Sequence, residues 1–271
     1  MPILSALHVY PIKSCGGISV TEWEVDAFGL SFDRRWMLVT PRGRFLTQRE
    51  LPALALVRVT IAPPHLRVTA PGIPELVTPL SPQGGRPVAT VVWGDPLQVL
   101  APDHKADEWF SNFLGHEVML AYFPERVVRE VDRDYAPDGG RTGFADGFPF
   151  LLAGEASLAD LNARLATPLP MNRFRPNLVV SGSVPFAEDG WRRITIGGIP
   201  MQVVKPCARC VVTTTDQATG RRDGDEPLRT LSTFRRHDNK VMFGQNVVHY
   251  ATGRLRVGDE VETGDPIPRV G

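Results

Sequence analysis

Glycine and proline divide this chain into short segments, and this punctuation constrains the fold more than any other sequence feature. The 271 residues contain 25 glycines and 25 prolines. The segments between them recur as short runs rich in valine, isoleucine, threonine and aromatic residues, a composition typical of strands. The pattern predicts a sheet-rich barrel or sandwich. The expected strands span residues 4–10, 18–25, 36–40, 55–61, 66–69, 88–93, 97–100, 177–181, 194–196, 201–204, 211–215, 241–250 and 255–261.

Only three segments are predicted to be helices. The first, residues 103–114, begins with Asp103, a good N-cap residue, and then places aromatic residues at helical spacing. The other two span residues 155–165 and 226–234, where apolar residues recur three or four positions apart. The sequence therefore predicts a β-rich α+β fold, a β-barrel with a few helices and a barrel-like N-terminal part.

A long segment near the middle of the chain, residues 125–147, follows neither pattern. It interleaves arginines with aspartates and glutamates. A loop of this length in a compact protein is usually a binding element or disordered. It is also the best position for a domain boundary, so we expect two domains, residues 1–124 and 125–271.

Charge and cysteine usage exclude several classes of protein. Thirty basic residues balance thirty acidic ones, which gives no electrostatic footprint for nucleic acid. The longest uncharged stretch, residues 241–253, is far shorter than the roughly 20 apolar residues of a spanning helix. Residues 1–13 lack the features of a signal peptide, and 3 cysteines cannot form a disulfide framework. No G-x-S-x-G motif supports a hydrolase. We expect a cytoplasmic protein without membrane association.

The sequence Cys207-Ala-Arg-Cys210 is the most specific local motif. Two thiols three positions apart suit a redox pair or half of a zinc site. The other half of a zinc site is missing, because Cys15 is the only further cysteine. A strand-like segment, residues 211–215, follows the motif where a thioredoxin-like turn would start a helix. Cys207 also fits a purely structural role, whereas the neighbouring Arg209 favours a thiolate at Cys210, a candidate ligand for a soft metal.

The turn after the first expected strand contains Lys13, Ser14 and two glycines. A lysine side chain and backbone N–H groups can together hold a phosphate. The spacing of a P-loop is absent, however. A simple glycine-rich hairpin turn is the alternative interpretation.

Two arginine-containing segments are further candidates. After Asp33, one of the adjacent Arg34 and Arg35 is expected to pair with the aspartate while the other faces a ligand; the alternative is a solvated surface pair. Before the strand at 177–181, Arg175 and Asn177 are predicted to share one face, which suits an anionic heterocycle. A structural role is an equally good interpretation for both.

Taken together, these segments resemble the MOSC family, in which an N-terminal MOSC β-barrel domain precedes a MOSC domain. The similarity is to the branch containing the mitochondrial amidoxime-reducing component and its bacterial relatives, and it covers nearly the whole chain. The segments that carry it are residues 10–17, DRRW at 33–36, GFPFLLAGEASLADL at 147–161, FRPN at 174–177, CARCVVTTT at 207–215, EPLRTL at 226–231, FGQ at 243–245 and VGD at 257–259.

The resemblance implies a molybdenum cofactor, with Cys210 as the protein ligand of the metal. Asp146 is a candidate for proton delivery, with a loop-capping carboxylate as the alternative, while Cys207 and Cys15 are expected to pack structurally. A serine or threonine that some relatives have beside residue 148 is missing here, so backbone contacts are expected there, and residue 246 is a tyrosine in some relatives. The cofactor contacts that the resemblance implies are Lys13, Ser14, Arg34, Gly147, Phe148, Arg175, Asn177, Arg209 and Asn246.

The function implied is reduction of small N-hydroxylated or otherwise N-oxygenated compounds. No cysteine follows Cys210 that could hold an iron–sulfur cluster. Electrons are therefore expected from a separate flavoprotein, ferredoxin or cytochrome. Two alternatives remain: a cofactor carrier or sulfur-transfer protein that uses Cys210 without turnover, and a thiol oxidoreductase that needs Cys207 and Cys210 equally.

Overall fold

The computed structural model describes residues 1–264, most of whose regular structure is in strands. The strands are β1 (Ile3–Val9), β2 (Ile18–Val20), β3 (Glu22–Asp26), β4 (Gly29–Leu30), β5 (Trp36–Val39), β6 (Arg58–Ala62), β7 (His65–Ala70), β8 (Ile73–Pro79), β9 (Arg86–Val92), β10 (Asp95–Ala101), β11 (Met119–Tyr122), β12 (Phe150–Gly154), β13 (Leu178–Ser181), β14 (Arg193–Ile196), β15 (Ile199–Arg209), β16 (Arg236–His237), β17 (Lys240–His249), β18 (Gly253–Arg256) and β19 (Val261–Thr263). The β-rich α+β fold class is confirmed.

Three α-helices lie close to the expected positions. They are α1 (His104–Leu114), α2 (Glu155–Asn162) and α3 (Leu228–Ser232). Asp103 caps α1 as expected, accepting a hydrogen bond from the N–H of Lys105, because its side chain replaces one missing helical acceptor. Within residues 1–264, no helix has the length and hydrophobicity to cross a membrane.

The largest sheet joins the two ends of the chain. Its strand order is β19-β14-β15-β17-β12-β13-β1-β2, with β16 on β17. Only β12 and β13 pair in parallel among these neighbours. In addition, β3 pairs with β18. The first strands therefore belong structurally with the second half of the chain, and the division at residues 124 and 125 stays a prediction.

The remaining N-terminal strands form two smaller sheets, β5-β11-β10-β9 and β6-β7-β8. Their core holds Trp36, and α1 packs Trp109 and Phe110 into it. The large sheet has its own core, which includes Leu152 and Val247. Each such buried side chain contributes roughly 1.5–3 kcal/mol relative to exposure, so both cores hold the intervening loops in place.

The prediction of a strand at residues 211–215 is wrong. Residues 211–215 were expected to be extended, but Val211–Thr214 form a 3-10 turn. The hydroxyl of Thr213 donates to the carbonyl of Cys210 at 3.0 Å, and that of Thr214 donates to the carbonyl of Val211 at 2.8 Å. These local bonds satisfy carbonyls that a strand would pair with a neighbour. The turn leaves Cys210 at the point where β15 has just ended.

Candidate functional site

A single cleft collects the sequence-predicted site residues. It opens where loops after β1, before β5, before β12 and before β13 meet the end of β15 and the middle of β17. The fold brings these residues, which are far apart in sequence, together at one place. The predicted residues that line the cleft are Lys13, Ser14, Arg34, Asp146, Gly147, Phe148, Arg175, Asn177, Arg209, Cys210 and Asn246.

Three residues that line this cleft have a strained backbone. Ser14, Arg34 and Arg175 have φ angles of 68°, 44° and 55°, in the left-handed region that favours glycine. Such conformations cost of order 1–3 kcal/mol each and persist where surrounding structure holds them. Arg175 lies just before β13, as the sequence analysis expected, and it lines the same cleft as Asn177.

Cys210 contacts a guanidinium that the sequence analysis did not select. The Nη2 atom of Arg49 lies 3.3 Å from the Sγ atom of Cys210. Arg209, which was expected to favour the thiolate of Cys210, instead points its Nη1 atom at the Sγ atom of Cys207, 3.0 Å away. The reason is the extended backbone of β15, in which residues two positions apart share a face and adjacent residues do not. Arg49 is therefore the cation beside Cys210.

The other two thiols, those of Cys15 and Cys207, differ in how deeply they are buried. Cys15 is completely buried, as a structural role requires, and burial raises its pKa to about 12. Cys207 is only half-buried and lines the cleft, which corrects the expectation that it packs structurally. Within residues 1–264, no group of three or more histidine, cysteine or carboxylate side chains is placed to hold a metal ion.

A buried tyrosine organises two of the cleft arginines. The guanidinium of Arg34 lies 4.5 Å from the centroid of the Tyr10 ring, and that of Arg175 lies 4.3 Å from it. The Tyr10 hydroxyl donates to the carbonyl of Pro176 at 3.1 Å, and burial raises its pKa to about 12. Gly17 makes room for the ring, since a Cβ atom there would lie 2.4 Å from Cε1 of Tyr10.

Asp33 and Asn177 hold Arg34 in position. The buried Asp33 carboxylate accepts hydrogen bonds from Nη1 of Arg34 at 2.5 Å, from the N–H of Tyr10 and from Nδ2 of Asn177. Oδ1 of Asn177 accepts a second bond from Nη1 of Arg34 at 2.8 Å. One arginine thus both pairs with Asp33 and lines the cleft, whereas Arg35 is buried against the carbonyl of Phe123. Neither arginine is a solvated surface residue.

The cleft holds more positive than negative charge. Arg175 is only 8% exposed, and within the described chain it forms no salt bridge; its hydrogen-bond partner is Oε1 of Gln217, at 3.5 Å. Burial lowers the pKa of Arg175 to about 10. The Nε atom of Arg209 is buried without a partner among these residues. Burying unpaired cations costs free energy, so binding of an anionic ligand would stabilise the site. The cleft cations are Lys13, Arg34, Arg49, Arg175 and Arg209, against the carboxylates Asp33 and Asp146.

Lys13 and Asp146 form an ion pair at the edge of the cleft. Nζ of Lys13 lies 2.5 Å from Oδ1 of Asp146 and donates to the carbonyl of Phe144 at 2.7 Å. Burial lowers the pKa of Lys13. Partial desolvation of the carboxylate raises the pKa of Asp146, but the charge of Lys13 and hydrogen bonds from Lys13 and Trp93 more than offset this and hold the pKa below its usual range. Asp146 is therefore ionised and paired at neutral pH, a state that disfavours proton donation.

Arg129, from the charged segment 125–147, shapes the loop that carries Asp146 and Gly147. It is 4% exposed, and it donates to the carbonyls of Gly143 (3.0 Å), Ala145 (2.5 Å) and Asp146 (3.2 Å). In a trans peptide the N–H points opposite to the C=O. The N–H groups of Asp146 and Gly147 therefore point away from Arg129, and within the described chain neither has an acceptor.

The sequence analysis missed Arg49 and did not assign a role to Arg129. Arg49 sits in the sequence Thr47-Gln48-Arg49, which lacks a recognisable motif. The only indication for Arg129 was its place in a long charged loop. Asn246, which was predicted, reaches the cleft from β17, and its Nδ2 atom lies 3.4 Å from the carbonyl oxygens of Lys205 and Pro206.

Comparisons with known proteins identify the family of this chain. A family model described as "MOSC N-terminal beta barrel domain" matches residues 1–117, and one described as "MOSC domain" matches residues 139–262. The chain is 34% identical over 275 residues to the mitochondrial amidoxime-reducing component 1 of Mus musculus, covering 95% of this chain and 81% of the relative. It is 35% identical over 277 residues to the mitochondrial amidoxime reducing component 2 of Rattus norvegicus, with 95% and 82% covered.

A solved structure also spans nearly the whole chain. The YUAD protein from Bacillus subtilis covers 96% of this chain, and 94% of its own chain is matched, at 10% identity and a TM-score of 0.41.

Proposed function

Since this chain belongs to the MOSC family, we propose that it is a molybdenum-cofactor-dependent reductase of N-hydroxylated and other N-oxygenated compounds. The observation that carries the proposal is the cleft itself, where two half-buried thiols, those of Cys207 and Cys210, lie among five cations and two carboxylates. The relatives named as amidoxime-reducing components support the class of substrate.

The residues present fit a pterin cofactor that carries a phosphate. Lys13, Arg34 and Arg175 provide buried positive charge, and guanidinium groups suit phosphate because they donate in a planar fork. The N–H groups of Asp146 and Gly147 offer additional donors, since successive N–H groups can form an anion-binding concavity. Cys210 would supply a soft sulfur ligand to molybdenum. When bound, the cofactor supplies the two-electron redox chemistry.

The overall reaction balances with two electrons and two protons. For an amidoxime, R–C(NH2)=N–OH + 2 e⁻ + 2 H⁺ gives R–C(NH2)=NH + H2O; the N–O bond breaks and its oxygen leaves as water. The electrons come from a separate donor protein, which we propose to be a flavoprotein, ferredoxin or cytochrome. The chain itself binds the cofactor, orients it and balances its charge.

Each charged group has a distinct part in this proposal. Arg49 donates to the sulfur of Cys210, so its charge offsets the negative charge of the thiolate. Asn177 and Asp33 keep Arg34 aimed at the cleft. Asp146 holds Lys13 at the edge of the cleft through their ion pair. Proton delivery by Asp146 stays a prediction, which the low pKa of this carboxylate disfavours.

Domain organisation and location also remain proposals. The division into residues 1–124 and 125–271 is supported by family matches that end at residue 117 and begin at residue 139. The relatives named above are mitochondrial by name, and the expected cytoplasmic location stays a prediction.

The deciding experiment measures molybdenum per chain by elemental mass spectrometry on protein from a host that makes the cofactor. Wild type is compared with Cys210→Ala and with Cys207→Ala, which removes the other thiol of the same cleft. We expect near-stoichiometric molybdenum in wild type and Cys207→Ala, and at least a tenfold loss in Cys210→Ala. Equal losses in both variants, or no molybdenum in wild type, would contradict the proposal.

A second measurement separates the alternatives. Benzamidoxime reduction with an artificial reductant should require Cys210 and tolerate the loss of Cys207. A carrier or sulfur-transfer protein would hold molybdenum or a persulfide without turnover. A thiol oxidoreductase would lose activity equally in both variants.

A further inference from the structure

A tryptophan occupies an unusual position at the tip of the β9–β10 hairpin. Trp93 and Gly94 link the two strands, and their φ angles are 53° and 105°. Two-residue hairpin turns with positive φ at both positions favour asparagine, aspartate and glycine, because a bulky side chain is strained there. The indole is nevertheless 50% exposed. A strained and half-exposed aromatic residue points to a function rather than to packing alone.

The indole of Trp93 contacts two residues that line the cleft. The guanidinium of Arg49 lies 4.6 Å from the Trp93 ring centroid, and Nε1 of Trp93 donates to Oδ1 of Asp146 at 3.1 Å. Arg49 in turn contacts the Sγ atom of Cys210 at 3.3 Å. With the C–N bond of the guanidinium included, the indole centroid lies no more than about 9 Å from the sulfur.

The surroundings of Trp93 form an apolar rim on a cationic cleft. Phe45 packs edge-on against the indole at a centroid distance of 5.2 Å, and Val91 is 52% exposed. Arg49 and Asp146 hold the indole from the cleft side, so its orientation is fixed while much of its surface stays open. A fixed, open aromatic surface beside a reaction centre binds another aromatic ring favourably.

We propose that Trp93 determines substrate specificity by contacting the aromatic ring of an aryl N-oxygenated substrate whose N–O group faces Cys210. This inference rests on the proposed function and adds to it a preference for aromatic over aliphatic substrates. An aryl group carrying one polar substituent is long enough to reach from the indole into the cleft. An aliphatic substrate of the same chemistry gains nothing from the indole.

The test compares benzamidoxime with acetamidoxime, which carry the same reducible group on an aromatic and an aliphatic carbon. Holoenzyme variants are Trp93→Leu, Trp93→Phe and the control Tyr250→Leu. Tyr250 is also a half-exposed aromatic residue, and it bonds to Gln202 outside the cleft lining. We expect Trp93→Leu to raise the KM ratio of benzamidoxime to acetamidoxime about two- to tenfold. Trp93→Phe should restore most of the discrimination, and Tyr250→Leu should leave the ratio unchanged.

Equilibrium binding without reductant provides a measurement that does not depend on turnover. Benzamidoxime is titrated into the oxidised holoenzyme and its Kd is measured by calorimetry. Trp93→Leu should weaken this Kd by the same factor as the KM ratio. If neither compound is reduced but the Kd still depends on Trp93, the proposed reductase function fails and the aromatic site stands. Equal changes for both compounds, or no binding of benzamidoxime by wild type, overturn the assignment of Trp93.

Discussion

Arg49 and Cys210 lie 161 residues apart in sequence, yet Nη2 of the arginine and Sγ of the cysteine are 3.3 Å apart in the cleft. The arginine comes from the first half of the chain and the cysteine from the second. A ligand at Cys210 is therefore influenced by a charge that the MOSC-domain match at residues 139–262 does not contain. The N-terminal part of the chain contributes directly to the site.

Replacing Arg49 with alanine should weaken retention of the metal. Removing the donor leaves the Cys210 sulfur without its charge-assisted contact, and partners of metal ligands typically contribute 10–100-fold to metal affinity. Molybdenum per chain after dialysis against a chelator measures the effect. Arg44→Ala is the matched control, because Arg44 is exposed and its salt bridge within residues 1–264 is to the exposed Glu50. Equal molybdenum content in both variants would contradict a role for Arg49.

Replacing Arg175 with alanine should lower cofactor binding without lowering the stability of the fold by a comparable amount. Arg175 is buried without a salt bridge in the described chain, so its loss removes a desolvated cation that contributes little to the fold. Cofactor content should fall at least tenfold, while the free energy of unfolding of the cofactor-free protein changes by less than about 1 kcal/mol.

The matched control for Arg175 is a neighbouring arginine with structural partners. Arg173 donates to the carbonyl of Thr214 at 2.8 Å and to Asp216 at 3.0 Å. Arg173→Ala should lower the free energy of unfolding by about 1–3 kcal/mol, because it leaves a buried carbonyl unsatisfied. Urea titrations of both variants check this, and a larger loss of stability in Arg175→Ala than in Arg173→Ala would refute the distinction.

Arg129→Lys should disrupt the loop beside the cleft, although lysine keeps the positive charge. A single ammonium cannot reproduce the fork that holds the carbonyls of Gly143, Ala145 and Asp146. We expect a destabilisation of about 2 kcal/mol and reduced cofactor content. Arg133→Ala is the control in the same loop, since Arg133 pairs with Glu130 at the exposed surface and its loss should leave the free energy of unfolding nearly unchanged. Similar effects of the two substitutions would contradict the role of Arg129.

The Lys13–Asp146 pair should give stability with a defined pH dependence. Because the folded pKa of Asp146 lies below its ordinary value, the pair stabilises the fold above the unfolded pKa of about 3.9, and this contribution is lost as the pH falls further. The difference in the free energy of unfolding between wild type and Asp146→Asn should therefore be constant near neutral pH and shrink below pH 4. Its magnitude is small, since 69% of the Asp146 side chain is exposed.

The same variant tests proton delivery. If Asp146 delivered protons during turnover, the kcat of wild type would depend on pH through a group that disappears in Asp146→Asn. We expect instead parallel pH profiles for kcat, with a higher KM or lower cofactor content in the variant, because Lys13 loses its orientation.

Local motifs predicted much of the site because each motif brings its functional residues to the cleft within a short stretch of the chain. In the Cys207–Cys210 motif, in the segment around Arg175 and in the turn after β1, the residues that line the cleft lie within a few positions of one another in sequence. The resemblance then placed these segments in a common site. Arg49 and Trp93 escaped this reasoning, since their contacts join segments that are distant in sequence, which no local spacing records.

Where the sequence analysis was wrong, a specific local interaction explains it. Residues 211–215 have the composition of a strand, but two threonine hydroxyls bond to preceding carbonyls and bend the chain. Adjacency of Arg209 and Cys210 suggested a contact that the alternation of side chains along β15 prevents. Strand β12 was not anticipated, because a fully buried strand shows no alternation of polar and apolar residues.

The pairing of β1 with β13 has a consequence for biosynthesis. Strand β1 (Ile3–Val9) can pair with β2 soon after synthesis, but its partner on the other edge, β13, exists only when residues 178–181 have been made. At about 5–20 residues per second this delay is roughly 10–35 s, during which Lys13 and Ser14 have no cleft to line. The cofactor is therefore expected to enter only a completed chain, and a nascent chain needs protection for an unpaired apolar edge until then.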